Sequence, residues 1–416
     1  MMREVKSSGI AWIGTIPKCW ETDKLKYHLR RNEPRNPGDV VVLSLYRELG
    51  VIPKDSRDDN HNVTSEDTSK YKYVRPGDFV INKMKAWQGS VAVSEYEGIV
   101  SPAYFVYEFT DDAIFKRYFH YLLRSCYKDE FMRLSGGIRV GQWDLPADAL
   151  ENTPILIPPM DEQRRIADFL DAKCAEIDAL TADIQAQIDT LEQYKRSVIT
   201  ETVTKGLNPD AEMKDSGIEW VGQMPSSWDA VPNKYLMYKV KNICPVYNGE
   251  DILSLTTNGV IIRDLNGGGK MPTSFDGYQK VAPGNLLMCL FDIDVTPRCI
   301  GLVKNFGLTS PAYSQFVMRT GAYAPYYYYY YLMVDYTKEL LHMAKNLRHS
   351  LTEDQLGAIK APNPPYEEQV QIAEFLDKKC VEISRVIEDK NKQLATLDDY
   401  KKSLIFEYVT GKKEVV

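Results

Sequence analysis

The sequence has few of the residues from which metal sites and catalytic centres are usually built. It contains five histidines, none of them in an H-x-x-x-H or H-E-x-x-H spacing, so the common zinc-hydrolase motifs are missing. Its seven cysteines are scattered and include no C-x-x-C pair, which argues against a disulfide framework and a structural zinc site. We therefore expect no metal, no cofactor and no catalytic residue, and free thiols suited to a reducing cytoplasm.

Long apolar runs are missing as well. No stretch approaches the ~18–20 apolar residues that cross a bilayer, and the N-terminus lacks the apolar segment of a signal peptide. The chain has 416 residues, of which 44% are hydrophobic and 26% charged. Such a composition is typical of a soluble globular protein with two or three domains. We expect a cytoplasmic protein without membrane contact.

The net charge of −7 is unevenly distributed along the chain. Residues 161–204 and 367–410 are acidic, whereas 22–150 are neutral overall and 229–360 carry a slight positive excess. A nearly neutral domain can still present a basic face to a nucleic acid. The charge therefore neither suggests nor excludes a nucleic-acid partner.

One sequence unit occurs twice along the chain, and an internal repeat of this kind constrains the fold class. Each motif recurs 206 to 209 residues downstream, whereas the segments between the motifs diverge. The chain therefore has a shared frame with two different inserts. The repeated motifs are Ser8–Gly14 and Ser216–Gly222, Trp20 and Trp228, Arg75–Asp78 and Ala282–Asn285, Ser101–Tyr104 and Ser310–Tyr313, Pro158–Gln163 and Pro364–Gln369, and Ile166–Asp171 and Ile372–Asp377.

The first part of each unit has mixed secondary structure. Short β-rich runs are separated by Pro-Gly and Asn-Gly steps, which mark turns. One helix is predicted within each insert, at Ala113–Ser125 and at Tyr323–Lys338. The second of these contains six consecutive tyrosines, Tyr326 to Tyr331. We interpret them as packed aromatic bulk rather than as a platform on which bases stack.

The second part of each unit is a long amphipathic helix that begins after a Pro-Pro pair. A stretch of ~44 residues is ~66 Å of straight helix, and its narrow apolar stripe predicts an antiparallel pair formed by the two copies. The alternative is that each helix packs against its own globular part. Lys390 takes the place of Ile184 and is a polar residue of the kind that can fix register. The predicted interface positions are Ile177, Leu180, Ile184, Gln187, Leu191, Tyr194 and Val198 in the first helix and Ile383, Val386, Lys390, Gln393, Leu397, Tyr400 and Leu404 in the second.

One short motif favours an enzyme. Asn363-Pro364-Pro365-Tyr366 matches the loop with which adenine-N6 DNA methyltransferases hold a flipped base, so a stand-alone methyltransferase is the alternative function. The first copy has Ile157-Pro158-Pro159-Met160 instead, without the amide or the aromatic ring. No glycine-rich strand–turn–helix for S-adenosylmethionine lies upstream. A coiled-coil scaffold without a DNA role is a third possibility.

Taken together, the two Ser-Gly-Ile-x-Trp-x-Gly motifs and the two Pro-Pro-x-x-Glu-Gln-x-x-Ile-Ala-x-Phe-Leu-Asp helix openings resemble the specificity subunits of type I restriction–modification systems. The resemblance covers essentially the whole chain. It implies an α+β fold with two pseudo-two-fold-related mixed α/β target-recognition domains separated by a long antiparallel two-helix coiled coil. It divides the chain into a first recognition domain (1–158), a first helix (159–206), a linker with the second recognition domain (207–364) and a second helix (365–416).

The same resemblance implies that the chain reads a bipartite site in double-stranded DNA. It implies docking of two methyltransferase subunits, with endonuclease and translocase subunits joining through the complex, so that the chemistry belongs to the partners. Base reading needs Arg, Lys, Asn or Gln side chains, and two segments in each half supply them. The predicted DNA-binding residues are Asn82, Lys83, Lys85, Trp87, Gln88, Arg133, Arg139 and Gln142 in the first half and Arg263, Lys270, Arg298, Lys345, Asn346, Arg348 and His349 in the second.

Overall fold

The computed structural model describes residues 3–38, 40–46, 49–56, 64–65, 67–137, 143–265, 272–344 and 349–415. The chain divides into two compact units. Unit 1 comprises Met1–Ile184 together with Lys392–Val416, and unit 2 comprises Gln185–Asn391. Each unit therefore takes its residues from both long helices.

Unit 1 is built around a four-stranded antiparallel sheet. The strands of the unit are β1 (Val5–Ser7), β2 (Thr15–Pro17), β3 (Glu21–Lys24), β4 (Leu29–Arg31), β5 (Leu43–Tyr46), β6 (Gly50–Pro53), β7 (Lys72–Val74), β8 (Phe79–Asn82), β9 (Val91–Val93), β10 (Gly98–Val100), β11 (Tyr104–Phe109) and β12 (Pro154–Ile157). The sheet has the strand order β4-β11-β8-β9. Four further antiparallel pairs surround it, β1–β2, β3–β12, β5–β6 and β7–β10.

The helices of unit 1 cover one side of this sheet. They are α1 (Lys116–Cys126), α2 (Lys128–Leu134) and α3 (Ala147–Glu151), followed by the long helix α4 (Met160–Lys205), whose first part belongs to this unit. The helix predicted at Ala113–Ser125 is confirmed as α1 with a later start. Phe79 of β8 and Phe119 of α1 meet edge to face, with ring centroids 5.2 Å apart, so the sheet and the helix share one core.

Unit 2 repeats this topology. The strands are β13 (Met213–Asp215), β14 (Gln223–Pro225), β15 (Asp229–Pro232), β16 (Met237–Val240), β17 (Ile252–Thr256), β18 (Gly259–Ile262), β19 (Gln279–Val281), β20 (Leu286–Met288), β21 (Ile300–Leu302), β22 (Gly307–Thr309), β23 (Ser314–Met318) and β24 (Lys360–Asn363); the helices are α5 (Ala324–Tyr336), α6 (Glu353–Ala358) and the long α7 (Tyr366–Val409). The sheet β16-β23-β20-β21 has the same order and pairing as the sheet of unit 1, and a second sheet has the order β18-β17-β22-β19.

The tyrosine run lies in α5, and most of it is buried. Tyr326, Tyr327, Tyr329, Tyr330 and Tyr331 are each at most 5% exposed and belong to the main core of unit 2. The hydroxyl groups of Tyr326, Tyr327 and Tyr329 donate hydrogen bonds inside the protein, and the bond from Tyr329 to Asp377 Oδ1 is 2.6 Å long. The packing interpretation of this run is therefore confirmed.

The repeated Ser-Gly-Ile-x-Trp-x-Gly motif forms a tight turn between two short strands. Ser8 Oγ accepts a hydrogen bond from Ile10 N at 3.0 Å, and Gly9 and Gly14 have φ angles of +74° and +76°, which favour glycine. Ser216 makes the same contact with Ile218 N at 3.1 Å. The motif therefore recurs because the turn geometry requires these residue types.

A second repeated contact fixes the start of each long helix. The buried indole of Trp20 donates from Nε1 to Glu162 Oε2 at 2.9 Å, and Trp228 donates to Glu368 Oε2 at 2.9 Å. The adjacent Gln163 accepts a bond from the Phe115 backbone at 2.7 Å, as its counterpart in the second copy does. The Glu-Gln step of both helix openings therefore ties the helix to its globular part.

The two long helices pair antiparallel in each unit. In unit 1, Lys401 Nζ lies 2.6 Å from Asp178 Oδ1, whereas Tyr408, further along α7, meets Phe169, nearer the start of α4, with ring centroids 4.4 Å apart. In unit 2, Lys195 Nζ donates to Ser384 Oγ at 2.8 Å.

The C-terminal end of each helix lies in the core of the other copy. Leu404 and Val409 of α7 belong to the core of unit 1, where Tyr118 OH donates to Val409 O at 3.0 Å. Val203 of α4 belongs to the core of unit 2 and accepts from Tyr326 OH at 3.0 Å. The alternative in which each helix folds back on its own half is therefore wrong, and the fold class expected from the sequence is confirmed.

The seam between the helices differs in phase from the predicted one. Ile177, Ile184, Leu191 and Val198 of α4, and Ile383, Lys390, Leu397 and Leu404 of α7, are buried or half-buried as predicted. Leu180, Tyr194, Val386 and Tyr400 are 41–54% exposed, and Gln187 and Gln393 are exposed too. The alternate positions lie one residue later, so that burial recurs in steps of four and three, as in a coiled coil; they are Thr181, Ile188 and Lys195 in α4 and Ile387, Leu394 and Lys401 in α7.

Polar side chains occupy part of this seam. Lys390, predicted as a polar residue within it, donates from Nζ to Gln187 Oε1 across the helix pair. Such contacts can fix register.

All seven cysteines are free. Among the helices of the described ranges, none has the length and apolar character of a membrane span.

Candidate nucleic-acid interface

In unit 1, the two segments predicted to contact DNA lie against each other. The first is the loop after β8, and the second precedes α3. Leu145 N donates to Lys83 O at 3.0 Å, and Lys83 Nζ lies 2.8 Å from Asp144 Oδ2. The indole rings of Trp87 and Trp143 meet edge to face with centroids 5.6 Å apart. Residues about 60 positions apart in the sequence therefore form one surface.

The predicted residues of this surface differ in their availability. The Lys85 side chain is exposed, and Trp87 is half-buried and donates from Nε1 to Met84 O at 3.0 Å. Gln88 is half-buried too. Asn82 is only 8% exposed and accepts a bond from Met84 N, so it shapes the loop and offers little surface for a base.

Arg133 lies on α2, which packs against this loop. Its side chain is 67% exposed and pairs with Glu130, with 2.6 Å between Arg133 Nη2 and Glu130 Oε1. The hydrogen bond to Glu130 raises the pKa of Arg133, and a guanidinium group is charged at neutral pH in any case. An exposed arginine held by one carboxylate can still contact a phosphate or a base edge.

Unit 2 brings together the equivalent segments. Leu351 N donates to Leu290 O at 2.8 Å, the counterpart of the bond between Leu145 and Lys83. His349 Nδ1 lies 2.8 Å from Asp294 Oδ2, and this bond lowers the pKa of Asp294. The predicted His349 therefore sits against the loop between β20 and β21.

Two further predicted residues, Arg298 and Arg263, lie in the described part of unit 2. Arg298 is half-buried, and its charge lowers the pKa of Tyr328, which burial raises. Arg263 directly follows β18 and is half-buried. The remaining six predicted DNA-binding residues lie outside the described residues; they are Arg139, Gln142, Lys270, Lys345, Asn346 and Arg348.

Sequence reasoning did not select four charged residues that the structure places at these surfaces. Asp144 pairs with Lys83, and Asp294 pairs with His349. Arg31 and Lys72 lie beside Lys83 around the ring of Phe105. Comparing the two copies could have identified one of these residues, Lys72, because the equivalent position in the second copy is occupied by the neutral Gln279.

The methyltransferase-like motif has a packing role in this fold. Asn363 Oδ1 accepts hydrogen bonds from Tyr327 OH at 2.9 Å and from Gln369 Nε2 at 3.2 Å. Tyr366 lies against Tyr323, with ring centroids 5.9 Å apart. The Asn363 side chain therefore joins the start of α7 to α5.

Within the described residues, no three His, Cys, Asp or Glu side chains gather into a group that could hold a metal ion.

Comparison with known proteins finds a domain profile that matches the first copy and curated relatives that are similar along the whole chain. Residues 27–190 match the profile of the type I restriction modification DNA specificity domain. Over 96% of its length, the chain is 25% identical to the type I restriction enzyme MjaVIII specificity subunit of Methanocaldococcus jannaschii, 94% of which is covered. It is 24% identical to the putative type I restriction enzyme MjaX specificity subunit of the same organism, with 97% of the chain and 96% of the relative covered.

Solved structures share the fold at low sequence identity. A chain from a structure of the complex assembly and conformational transition of the type I R-M system superposes with a TM-score of 0.71 at 15% identity, covering 96% of this chain and 99% of that one. The HsdS subunit from Thermoanaerobacter tengcongensis superposes with a TM-score of 0.51 at 15% identity, covering 96% and 98%. At this identity the likeness concerns the fold alone.

Proposed function

Because this chain belongs to the specificity subunits of type I restriction–modification systems, we propose that each of its two units reads one half of a split DNA site. The observation that carries this proposal is the recurrence of one arrangement, in which a sheet loop and the segment before the last strand meet in both units. The loops carry different side chains, Lys83, Lys85 and Trp87 in unit 1 against Asp294 and Arg298 in unit 2. Two different half-sites follow from that difference.

We propose the domain division that the sequence resemblance implies. Residues 1–158 and 207–364 then contain the two target-recognition domains, and 159–206 and 365–416 contain the helices that dock the partners. The compact units differ from this division because each takes the end of the other copy's helix. A domain excised at 158 would therefore lack part of its core.

We propose that the chain has no catalytic centre and that its partners perform the chemistry. The partners would be double-stranded DNA, two methyltransferase subunits, and endonuclease and translocase subunits that join through the complex. The internal hydrogen bonds of Asn363 support this assignment over the stand-alone methyltransferase, because the target amino group would have to displace them.

Mapping of methylated adenines tests the proposed function. A host that carries this chain with its methyltransferase subunits is expected to gain one bipartite motif, two short sequences separated by a fixed number of unspecified base pairs. The host with the methyltransferase alone is the control and is expected to lack the motif. A continuous methylated site, or methyl transfer by the purified chain with S-adenosylmethionine, would contradict the proposal.

We propose further that the length of the paired helices sets the number of unspecified base pairs. One extra heptad in each helix preserves the seam and adds about 10.5 Å of helix, which corresponds to about three base pairs of DNA. The same half-sites are expected with a spacer longer by about that number in the methylome. A heptad added to α4 alone shifts the register and is expected to abolish methylation. An unchanged spacer in the double insertion would rule out this role.

A further inference from the structure

Three cationic side chains of unit 1 surround a single aromatic ring. The Phe105 ring centroid lies 4.5 Å from Arg31 Cζ, 5.5 Å from Lys72 Nζ and 6.0 Å from Lys83 Nζ. The exposed fraction of these side chains ranges from 15% for Lys72 to 41% for Arg31. Cations this close repel each other unless an anion lies among them. Arg31, Lys72 and Lys83 are called the cation cluster below.

Two carboxylates pair with the cation cluster directly. Glu33 Oε1 lies 2.8 Å from Arg31 Nε and 2.9 Å from Lys72 Nζ, and Asp144 pairs with Lys83. Burial lowers the pKa of Lys72, the hydrogen bond to Glu33 opposes that effect, and the charges of Arg31 and Lys83 lower the pKa further. The protonated Lys72 therefore gains from any additional negative charge that approaches.

The second copy shows which part of this arrangement the fold requires. Lys72 Nζ donates to Tyr104 O, and its counterpart Gln279 donates from Nε2 to Tyr313 O at 2.6 Å. Lys72 pairs with Val100 across β7 and β10, just as Gln279 pairs with Thr309 across β19 and β22. A neutral amide therefore satisfies the structural hydrogen bond, and the charge of Lys72 exceeds what the strands need.

The other members of the cluster are replaced in the second copy as well. Arg31 and Lys239 occupy equivalent positions in the two sheets, because the residues that they face on the neighbouring strands are equivalent to each other. Lys83 corresponds to Leu290, because the carbonyl oxygen of each accepts a hydrogen bond from the equivalent backbone amide. The same sheet thus forms in unit 2 with one cation in place of three, and the cluster is a property of unit 1 alone.

We propose that Arg31, Lys72 and Lys83 bind a phosphate of the DNA backbone beside the half-site that unit 1 reads. This proposal rests on the proposed function and adds a contact that positions the duplex without reading its sequence. The cluster is continuous with the candidate interface, because Lys83 belongs to both and its partner Asp144 adjoins Trp143. Unit 2 lacks the cluster, so the phosphate contact anchors one half-site only.

The test measures the binding of the full chain, assembled with its methyltransferase subunits, to a duplex carrying the mapped site. Lys72→Gln places in unit 1 the residue that unit 2 uses, so the hydrogen bond to Tyr104 O can persist while the charge is lost. The affinity is expected to fall about ten-fold, and equally for specific and unrelated duplexes. The slope of log affinity against log salt is expected to decrease by about 0.9.

Three comparisons separate a phosphate contact from a structural role. Lys72→Arg keeps the charge and is expected to keep the salt slope, and Lys83→Gln is expected to repeat the loss through a second member. Lys18→Gln removes an exposed lysine paired with Glu4 at 3.0 Å and is expected to change nothing. Wild-type affinity and salt slope in both Lys72→Gln and Lys83→Gln would overturn the phosphate site while leaving the proposed function intact. Failure of the unaltered complex to bind any duplex would instead refute the proposed function.

Discussion

Replacing Val409 with aspartate is expected to unfold unit 1, although the residue lies near the C-terminal end of the chain. Val409 is fully buried in the core that also contains Trp20, Phe119 and Leu170. An unpaired carboxylate there has no partner and loses its hydration, so the expected loss in the free energy of unfolding is about 4 kcal/mol or more. The outcome would be read from hydrogen exchange resolved by segment, with protection lost in residues 3–137 before it is lost in unit 2.

Val381 offers a matched control on the same helix. Its side chain is 61% exposed, so Val381→Asp keeps the substitution and changes only the surroundings. It is expected to alter the free energy of unfolding by less than about 0.5 kcal/mol. Normal protection of unit 1 in Val409→Asp would show that the end of α7 does not complete that core.

Truncation of Ile188 is expected to destabilise the helix pair far more than truncation of Leu180. Ile188 is 4% exposed and Leu180 is 47% exposed, and the two side chains have almost the same volume. A buried aliphatic residue cut back to alanine costs about 2–5 kcal/mol, whereas an exposed one changes stability by about 0.5 kcal/mol or less. Urea unfolding of Ile188→Ala and Leu180→Ala would provide the comparison.

The same pair of variants decides between two phases of the seam. The predicted phase has Leu180 inside the interface, and the observed phase has Thr181 and Ile188 there. A larger loss in Leu180→Ala than in Ile188→Ala would favour the predicted phase. Tyr194→Ala and Leu191→Ala extend the comparison along α4, since Tyr194 is 51% exposed and Leu191 is half-buried.

The phase error has a definite physical origin. Sequence reasoning assigned the large apolar side chains Leu180, Tyr194 and Tyr400 to the seam, because burial of apolar area is the main driving force for pairing. Both phases recur in steps of three and four, but the observed alternate positions lie one residue later, and this puts Lys195 and Lys401 at seam positions. A long side chain can bury its methylene groups and keep its ammonium group at the edge, as Lys401 does beside Asp178. Side-chain type alone does not reveal which of two adjacent positions faces the partner helix.

The features that local sequence determines were predictable. Both long helices begin within about one residue of the predicted bounds, because the Pro-Pro pairs and acidic first turns mark their starts. The end of α4 is predicted equally well, whereas α7 ends at Val409, before the predicted bound at residue 416. The repeat predicted two equivalent folds. The orientation of single side chains was not predictable, as Asn82 shows: the alternation along β8 that would decide its side is lost, since all four residues of the strand are buried.

The cation cluster was missed for a different reason. Arg31, Lys72 and Phe105 come from three strands that are far apart in the sequence and adjacent only in the fold. Each residue alone resembles an ordinary surface charge. Only the superposition of the two copies, position by position through the strand pairing, separates the charge from the structural hydrogen bond.

The shared cores also determine the order in which a newly made chain can fold. Domains usually fold from the N-terminus during synthesis, but unit 1 contains Lys392–Val416 and unit 2 ends at Asn391. All residues of unit 2 therefore leave the ribosome before the last segment of unit 1. The first half of the nascent polypeptide must wait, with part of its interior uncovered, until translation reaches Val409.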